Sequence, residues 1–266
     1  MLKYAYRFMI ELTNGKWSSV ILQRFARSRA SKFVVPSFAK IYKINQSEME
    51  KTLHEYPTLH DFFIRTLKRE ARMVDPSETT VVSPVDAVIE DVGPINQTSE
   101  IIVKGKTYSI VEMLGSQETA NKYLHGTYMI LYLSPSHYHR IHSPVNGTIV
   151  KQWSLGSKSY PVNKMGLKYG VRTLAKNYRM ITEVNTLYGH TAIVKVGAMF
   201  VNSIETTHTG SKLEKGTEMA YFSFGSTVVL VFEKGIFQLE SSIHTPKDIK
   251  IGEKIGVFQK TKEKAL

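Results

Sequence analysis

The segment 221–233 reads Tyr-Phe-Ser-Phe-Gly-Ser-Thr-Val-Val-Leu-Val-Phe-Glu. Its run of β-branched and aromatic residues is typical of a β-strand. Similar runs, bounded by Gly, Pro and Asn, lie on both sides of it along the chain, at 79–93, 99–110, 126–134, 146–153, 190–204 and 252–259. Short runs at this spacing predict a mainly antiparallel β domain.

The part of the chain that precedes these strands has a helical pattern. Between residues 47 and 72, apolar residues mark faces on either side of Pro57, which predicts two helices with a kink or turn between them. A further short helix is predicted near 110–124. The sequence therefore predicts an α+β fold, with a helical N-terminal segment over 1–75 and a β-rich domain over 76–266.

Composition places the chain among ordinary globular proteins. It has 266 residues, of which 42% are hydrophobic, enough for one large domain or two small ones. Cysteine is absent from the sequence, which excludes disulfides, thiolate nucleophiles, cysteine zinc sites and iron–sulfur clusters. The formal net charge of +12 favours an anionic partner, such as nucleic acid or an acidic membrane surface.

The N-terminal segment carries part of this charge in an amphipathic pattern. Trp17, Val20, Ile21 and Phe25 recur at helical spacing, and Glu11 is the only acid among the first 35 residues. No apolar run here is long enough for a secretory signal or a membrane-spanning helix. The pattern is typical of a basic helix that lies on anionic lipid, and equally of a surface helix that packs on the domain.

Ser83-Pro84-Val85-Asp86 places one acidic residue directly after an apolar run. A lone aspartate at such a position most often hydrogen-bonds to its own backbone in a turn. Asp86 is therefore either a turn residue, which is the simpler interpretation, or a functional carboxylate.

Residues 134–144 contain His137, His139 and His142, three of the nine histidines. Imidazole is a common general acid or base near neutral pH and a common metal ligand. On an extended chain His137 and His139 point to one face and His142 to the other, so a three-histidine metal site requires a bend. A structural role for one or two of the rings in a loop is the third interpretation.

Gly225-Ser226 lies at the start of the apolar run. A glycine in a strand usually marks a bend, and that is the simplest interpretation. The pair also permits chemistry, because the hydroxyl of Ser226 can approach the carbonyl of Gly225 from a side that no side chain crowds. This approach is the one that an intramolecular N-to-O acyl shift requires, and the shift converts the peptide bond into an ester.

Five motifs, taken in order, resemble those of the phosphatidylserine decarboxylase family, whose members depend on a pyruvoyl group and cleave themselves at a Gly-Ser bond. The resemblance extends from about residue 56 to residue 258. The motifs are Phe62-Phe63-Ile64-Arg65, Ser83-Pro84-Val85-Asp86, Lys104-Gly105-Lys106-Thr107-Tyr108-Ser109, Tyr138-His139-Arg140-Ile141-His142 and Phe224-Gly225-Ser226-Thr227-Val228.

The resemblance implies a precursor that cleaves itself. Asp86, His142 and Ser226 would act like a serine-protease triad, in which His142 takes the hydroxyl proton and Asp86 orients and stabilises the ring. Ser226 would attack the carbonyl of Gly225, and the chain would be cut between these two residues. Ser226 would then become the pyruvoyl group, and the large and small chains would form a heterodimer.

The resemblance also implies the reaction. The amine of phosphatidylserine would form a Schiff base with the pyruvoyl group at position 226, which accepts the electron pair left when carbon dioxide departs. His139 would deliver a proton to the α-carbon, and phosphatidylethanolamine would be released. No metal and no nucleic acid are expected. The implied location is the cytoplasmic side of the cell membrane, with the β-rich domain catalytic and the segment 1–75 bound peripherally to the anionic surface.

Two alternatives from other classes stay open. A metallohydrolase could use His137, His139, His142 and Asp86 as ligands. A non-catalytic module that binds anionic lipid or nucleic acid would explain the charge alone, although the basic residues are spread along the chain and no RNA-binding motif is found. Metal analysis tests the first alternative, and the presence of a single intact chain would favour the second.

Overall fold

The computed structural model describes residues 16–103, 105–160, 162, 169, 172–198, 204–223 and 226–260. The α-helices of this part of the chain are α1 (Lys16–Arg27), α2 (Val35–Ile41), α3 (Leu59–Phe63), α4 (Ile110–Leu114), α5 (Gln117–Asn121) and α6 (Thr173–Lys176). Its 3₁₀ turns are Arg29–Val34, Leu53–Glu55 and Arg69–Ala71.

The strands of the described residues are β1 (Thr80–Val82), β2 (Ala87–Pro94), β3 (Glu100–Val103), β4 (Lys106–Ser109), β5 (Thr127–Leu133), β6 (Arg140–His142), β7 (Gly147–Leu155), β8 (Arg179–Asn185), β9 (His190–Gly197), β10 (Ile204–Thr206), β11 (Lys212–Leu213), β12 (Glu218–Phe222), β13 (Ser226–Phe232), β14 (Phe237–Leu239), β15 (Lys247–Ile249) and β16 (Lys254–Phe258). The pairings between these strands are antiparallel. The predicted mainly antiparallel β domain is confirmed.

Strand β13 lies inside an eight-stranded sheet with the order β11-β7-β8-β9-β13-β5-β2-β15. It pairs with β9 on one side and with β5 on the other, and its first residue, Ser226, faces Gly197 and Leu133. All of its residues are buried. Because both faces of this strand are covered, its sequence is a continuous apolar run and does not alternate between apolar and polar residues.

Two apolar cores cover the two faces of the large sheet. Val228 and Leu230 belong to the first core, which the sheet shares with the three-stranded sheets β1-β16-β14 and β10-β12-β6. Val229 and Val231 belong to the second, shared with the β3-β4 hairpin, α4 and α5. Because side chains alternate along a strand, Ser226 lies on the face of the first core.

The N-terminal part has a small core of its own, formed by Val35, Ala39, Ile44, Met49, Tyr56, Leu59 and Phe62. The prediction of two helices on either side of Pro57 is wrong in detail: a short 3₁₀ turn precedes Pro57, and the five-residue α3 and a second 3₁₀ turn follow it. Helix α3 begins where the hydroxyl of Thr58 accepts a hydrogen bond from the backbone N–H of Asp61 at 3.0 Å. The apolar positions between 47 and 72 are therefore apolar because they pack into this core, and not because they form the apolar faces of two helices.

The segment near 110–124 is helical as predicted, but it contains two short helices, α4 and α5, where one was predicted. They are separated at Gly115, which has a φ of 92° and ends α4 in the left-handed conformation. Within the described residues, no helix combines the length and the apolar character that crossing a bilayer requires.

Arginine side chains connect the N-terminal part to the β-rich part. Arg65 donates to the backbone carbonyls of the loop before β6, and Arg72 pairs with Asp86 just before β2. In the other direction, Arg140 on β6 donates to the carbonyl of Ile64 at 2.9 Å. The division of the chain at residue 75 stays a prediction, and these contacts tie the two parts together around the candidate site.

Candidate active site

Ser226, the predicted nucleophile, begins β13 in the interior of the protein. Its side chain is completely buried, and its Oγ has no hydrogen-bond partner among the described residues. Leu133 faces it across the ladder on one side, and on the other Gly197 brings no side chain. A buried hydroxyl without a partner is costly, so this one calls for an explanation, and a role as nucleophile is one.

The chain crosses from the β6 sheet to the large sheet directly before Ser226. Strand β12 ends at Phe222, whose backbone N–H donates to the carbonyl of His139 at 2.9 Å. Four residue steps separate Phe222 from Ser226, which limits their Cα atoms to about 14 Å apart. His139 and Ser226 therefore lie at the two ends of one short crossing. Gly225, the predicted cleavage position, lies outside the described residues.

His139 is fully buried with one ring nitrogen unused. Its Nδ1 lies 2.9 Å from the carbonyl oxygen of His137, and because a carbonyl only accepts, Nδ1 carries the hydrogen. Nε2 is then an acceptor, and it has no partner in the described part of the chain. Burial lowers the pKa of His139 well below its ordinary value, and the positive charge of Arg65 lowers it further. The ring packs on Phe63 at a centroid distance of 4.0 Å.

His142 at the end of β6 has the same protonation pattern. Its Nδ1 donates to the carbonyl of Gly216 at 2.8 Å, and its buried Nε2 has no partner among the residues described. Burial lowers the pKa of His142, while the Gly216 carbonyl and nearby carboxylates oppose that shift. A neutral ring with a free Nε2 is the form that a general base requires.

Gly216 is at this position for a steric reason. Its φ is +84°, which disfavours residues with side chains, and a Cβ there would come within 2.6 Å of a methyl carbon of Val74. The turn therefore requires glycine, and it presents its carbonyl to His142. In the sequence, the one sign of this contact is the glycine between Lys215 and Thr217, and it does not show that His142 is the partner.

Asp86 is held by groups that are distant in the sequence. Its carboxylate accepts two hydrogen bonds from Arg72, one of them at 2.8 Å from Nε, and one from the backbone N–H of Ile251 at 3.0 Å. The second acid on Arg72 is Glu48, at 2.9 Å. Burial works against the charge of Arg72, but the hydrogen bonds and charges of these carboxylates outweigh it and raise the pKa of Arg72.

The structure contains neither hydrogen bond of the triad that the resemblance implies. Gly216, and not Asp86, holds Nδ1 of His142, and Oγ of Ser226 is not bonded to the ring. The N–H of His142 does donate at 2.8 Å to the carbonyl of Pro84, two residues before Asp86, and the charge of Asp86 opposes the larger effect of burial, which lowers the pKa of the ring. Catalytic hydrogen bonds are often incomplete before the reacting complex forms.

The metal alternative finds no support in the geometry. No group of three His, Cys, Asp or Glu side chains in the described part of the chain could hold a metal ion. Each histidine of the cluster instead uses Nδ1 on the backbone, and that of His137 accepts from the N–H of Ser134 at 3.1 Å.

The surroundings of Ser226 fit the pyruvoyl group that the resemblance implies. That group is small, uncharged and formed from residue 226 itself, so it needs a dry position with no bulky neighbour on one side. The complete burial of Ser226 and the lack of a side chain on Gly197 provide both. Two residues that the sequence did not single out, Arg72 and Gly216, support this site from positions far along the chain.

Comparisons with known proteins find relatives of this chain along nearly its whole length. The family model described as phosphatidylserine decarboxylase matches residues 59–257. The chain is 62% identical to the phosphatidylserine decarboxylase proenzyme of Geobacillus sp. (strain WCH70), over 97% of this chain and 100% of that one. It is 60% identical to the proenzyme of the same name from Anoxybacillus flavithermus (strain DSM 21510 / WK1), over 99% of both chains, and 54% identical to that of Bacillus cereus (strain ATCC 10987 / NRS 248), over 96% of this chain and 98% of the relative. The chain belongs to the phosphatidylserine decarboxylase family.

Proposed function

We propose that this protein decarboxylates phosphatidylserine to phosphatidylethanolamine and carbon dioxide after cleaving itself between Gly225 and Ser226. The relatives are named phosphatidylserine decarboxylase proenzymes, which supports both the reaction and the maturation. The observation that carries the proposal is that three reactive atoms, Ser226 Oγ, His142 Nε2 and His139 Nε2, are buried and have no hydrogen-bond partner among the described residues. They are a nucleophile and two bases held away from water.

Maturation begins with proton transfer from Ser226 to Nε2 of His142. The oxygen bonds to the carbonyl carbon of Gly225, and the peptide C–N bond breaks as the nitrogen takes up the proton. Loss of the α-proton of residue 226 then expels Gly225 as a carboxylate and leaves dehydroalanine. Water replaces the nitrogen at that position, ammonia leaves, and a pyruvoyl group remains at position 226.

In this proposal Asp86 acts on His142 through charge. The ring is oriented by the carbonyl of Gly216, so the carboxylate is not needed to select the tautomer. Its negative charge stabilises the imidazolium that forms when Nε2 accepts the proton, which agrees with the raising effect of Asp86 on the pKa of His142. Arg72 fixes the carboxylate in place.

The cleaved chains are proposed to stay together. Residues 226–266 include β13, which pairs along its full length with β5 and β9 of the large chain, and β15 and β16, which pair with β2 and β1. Cutting the chain before Ser226 leaves all of these ladders intact. A heterodimer of large and small chains is the expected product.

For the decarboxylation itself, the pyruvoyl group supplies an electron sink. The chain supplies proton transfer at Nε2 of His139. A neutral, buried imidazole can accept a proton from the ammonium group of the serine headgroup, which must lose it before the nitrogen can react. The same atom can return that proton to the α-carbon once carbon dioxide has left, so His139 acts first as base and then as acid.

Membrane binding is proposed for the N-terminal helices. Ile21 on α1 is 66% exposed, Phe33 is 88% exposed and Ile41 at the end of α2 is 72% exposed, while Arg24 and Arg27 lie in the last turn of α1. Apolar side chains flanked by cations fit the anionic interface of the cytoplasmic leaflet. We therefore place the protein peripherally on the cytoplasmic side of the cell membrane. The positions before residue 16 and the side chain of Trp17, which were part of this prediction, lie outside the described residues.

The reaction is tested by supplying phosphatidylserine in vesicles and measuring carbon dioxide and phosphatidylethanolamine. The wild type should produce both in equal amounts. Ser226→Ala should produce neither, whereas Ser241→Ala, which changes an exposed serine of the same small chain, should match the wild type. Turnover by Ser226→Ala would refute the proposed chemistry.

A further inference from the structure

Arg65 is a buried cation whose hydrogen bonding is incomplete. The residue is only 4% exposed. Its Nη2 donates to the carbonyls of Ser136 and His137 at 3.0 and 3.1 Å, but Nε and Nη1 find no partner among the described residues. A guanidinium has five N–H donors, and leaving several of them buried and unpaired is costly. These donors call for a partner that the described residues do not supply.

The position of Arg65 relates it to the proposed proton carrier. The carbonyl of His137 accepts from Arg65 Nη2 and also from Nδ1 of His139, so the guanidinium and the imidazole share one acceptor. Two positions before Arg65 in the sequence, Phe63 packs on the ring of His139. The guanidinium itself lies over the ring of Phe62, with Cζ 5.6 Å from the centroid. The hydrogen bonds to the two carbonyls and the contact with the Phe62 ring therefore fix the position of the guanidinium.

Arg65 also lines a cleft of about 270 Å³ that includes Lys43, Asn45, Ser136 and His137. This cleft begins directly after α2, whose end carries the exposed Ile41 and Tyr42. It therefore connects the surface proposed to face the membrane with the loop that holds His139. A lipid headgroup that leaves the interface has a short path into it.

The charges of the cleft leave two cations available. Both of its acids, Glu48 and Asp86, are paired with Arg72, and Glu48 is also paired with Lys250 at 3.0 Å. Neither Lys43 nor Arg65 forms an ion pair with a described residue. The uncompensated charge of the cleft is positive, and a single anionic group is the complement that it lacks.

The headgroup offers two anions, and the reaction distinguishes between them. A guanidinium paired with the carboxylate would stabilise the substrate more than the transition state, because the negative charge leaves that carboxylate as carbon dioxide forms. The phosphodiester keeps its charge throughout, so a cation bound to it stabilises the substrate and the transition state equally and does not raise the barrier between them. It is also the group that arginine recognises well through parallel hydrogen bonds.

We propose that Arg65 binds the phosphodiester of the lipid headgroup, with Lys43 as the second cation of the same cleft. This inference rests on the function proposed above. Arg65 anchors the headgroup through an atom group that does not react, and so places the amine and the α-carbon beside His139. The remaining acyl region can stay in the membrane interface.

The test uses dihexanoyl phosphatidylserine as a soluble substrate, so that vesicle binding plays no part. Arg65→Gln should still cleave itself, and its KM should rise about 10- to 100-fold, the range for lost hydrogen bonds to a charged group. Arg65→Lys should lie between it and the wild type. Arg69→Gln removes an equal charge from an exposed neighbour and should leave KM unchanged.

Competition separates the phosphodiester from the carboxylate. Dihexanoyl phosphatidylethanolamine has the phosphodiester and no carboxylate, and an O-alkyl serine has the carboxylate and no phosphodiester. Arg65→Gln should weaken inhibition by the first compound and leave inhibition by the second unchanged. Equal weakening of both compounds, or weakening of the serine analogue alone, would overturn the proposal. A fall in kcat with unchanged KM would do so as well, since it would assign Arg65 to positioning His139.

Two controls keep the outcome interpretable. If Arg65→Gln fails to fold, Arg65→Lys and Lys43→Gln carry the same comparison, and unchanged inhibition by dihexanoyl phosphatidylethanolamine in both refutes the inference. If the wild type cleaves itself but does not turn over phosphatidylserine, the proposed function fails. Calorimetric binding of dihexanoyl phosphatidylethanolamine to the wild type and to Arg65→Lys then still decides whether the phosphodiester site exists.

Discussion

Arg72 and Asp86 form a buried ion pair that joins the N-terminal part of the chain to the candidate active site. Two hydrogen bonds connect the guanidinium to the carboxylate, and Ile251 donates a third to the same acid. Both side chains are about nine-tenths buried. The pair therefore links the stability of the N-terminal part to the position of the carboxylate that the proposed maturation uses.

Replacing one partner of this pair should strongly lower the free energy of unfolding. Arg72→Met should lower the free energy of unfolding by about 3–5 kcal/mol, because it leaves a buried carboxylate without its cation. Arg72→Met combined with Asp86→Asn should cost less than the sum of the single changes. Urea unfolding of the four proteins measures this coupling, and strictly additive costs would show that the pair is not a unit.

The two histidines should be separable by their effects. His142→Ala should block self-cleavage, because Ser226 loses the base that accepts its proton. His139→Ala should cleave normally and decarboxylate poorly, because proton transfer at Nε2 is needed only after the prosthetic group exists. Electrophoresis reports cleavage, and carbon dioxide release from the cleaved fraction reports turnover. Loss of the same single step in both variants would contradict this division of roles.

The exposed apolar side chains of the N-terminal helices should contribute to vesicle binding. Ile21→Ser combined with Phe33→Ser should weaken binding to anionic vesicles at least tenfold, since each apolar side chain transferred from water contributes about 1.5–3 kcal/mol. Co-sedimentation at two salt concentrations measures this effect and the part due to the cations. Leu187→Ser is the matched control, because Leu187 is 96% exposed on the β-rich part and should leave binding unchanged. Equal binding by all three proteins would place the docking surface elsewhere.

Lys195 should make stability depend on pH. It is buried on β9, its Nζ donates to Thr182, and burial lowers its pKa to about 7. The unfolded chain keeps the ordinary value of about 10.4, so between these values it binds a proton that the folded protein does not. The free energy of unfolding should therefore rise with pH above about 7, by up to about 1.4 kcal/mol per pH unit. This added stability is lost again as the pH falls toward 7.

Replacing this lysine should remove that dependence. Lys195→Met should raise the Tm at pH 7 and flatten the rise of stability between pH 7 and 9. Lys176→Met changes an exposed lysine and should behave as the wild type does. Thermal unfolding at three pH values measures the slope, and an unchanged slope in Lys195→Met would show that this amine is not its source.

The strands could be predicted well from the sequence, because runs such as 226–232 are rich in β-branched residues. These residues are buried on both faces of the sheet, so the run is recognisable without its partners. Sequence reasoning was wrong about two helices between 47 and 72, where the apolar spacing follows packing into a local core. It found the candidate residues through motifs. It did not find their partners, because Arg72 meets Asp86, and Gly216 meets His142, only through tertiary contacts that span 14 and 74 residues.

Intact-mass analysis of the purified wild type and of Ser226→Ala decides whether the chain cleaves itself before residue 226 and converts Ser226 into a pyruvoyl group. The wild type should contain a chain of residues 1–225 and a chain of residues 226–266 whose mass is lower by one ammonia than that of the simple hydrolysis product. Ser226→Ala should have the mass of the uncut 266-residue chain. A wild type that stays in one piece, a small chain with a free serine amine, or a cleaved Ser226→Ala protein would contradict the proposed maturation.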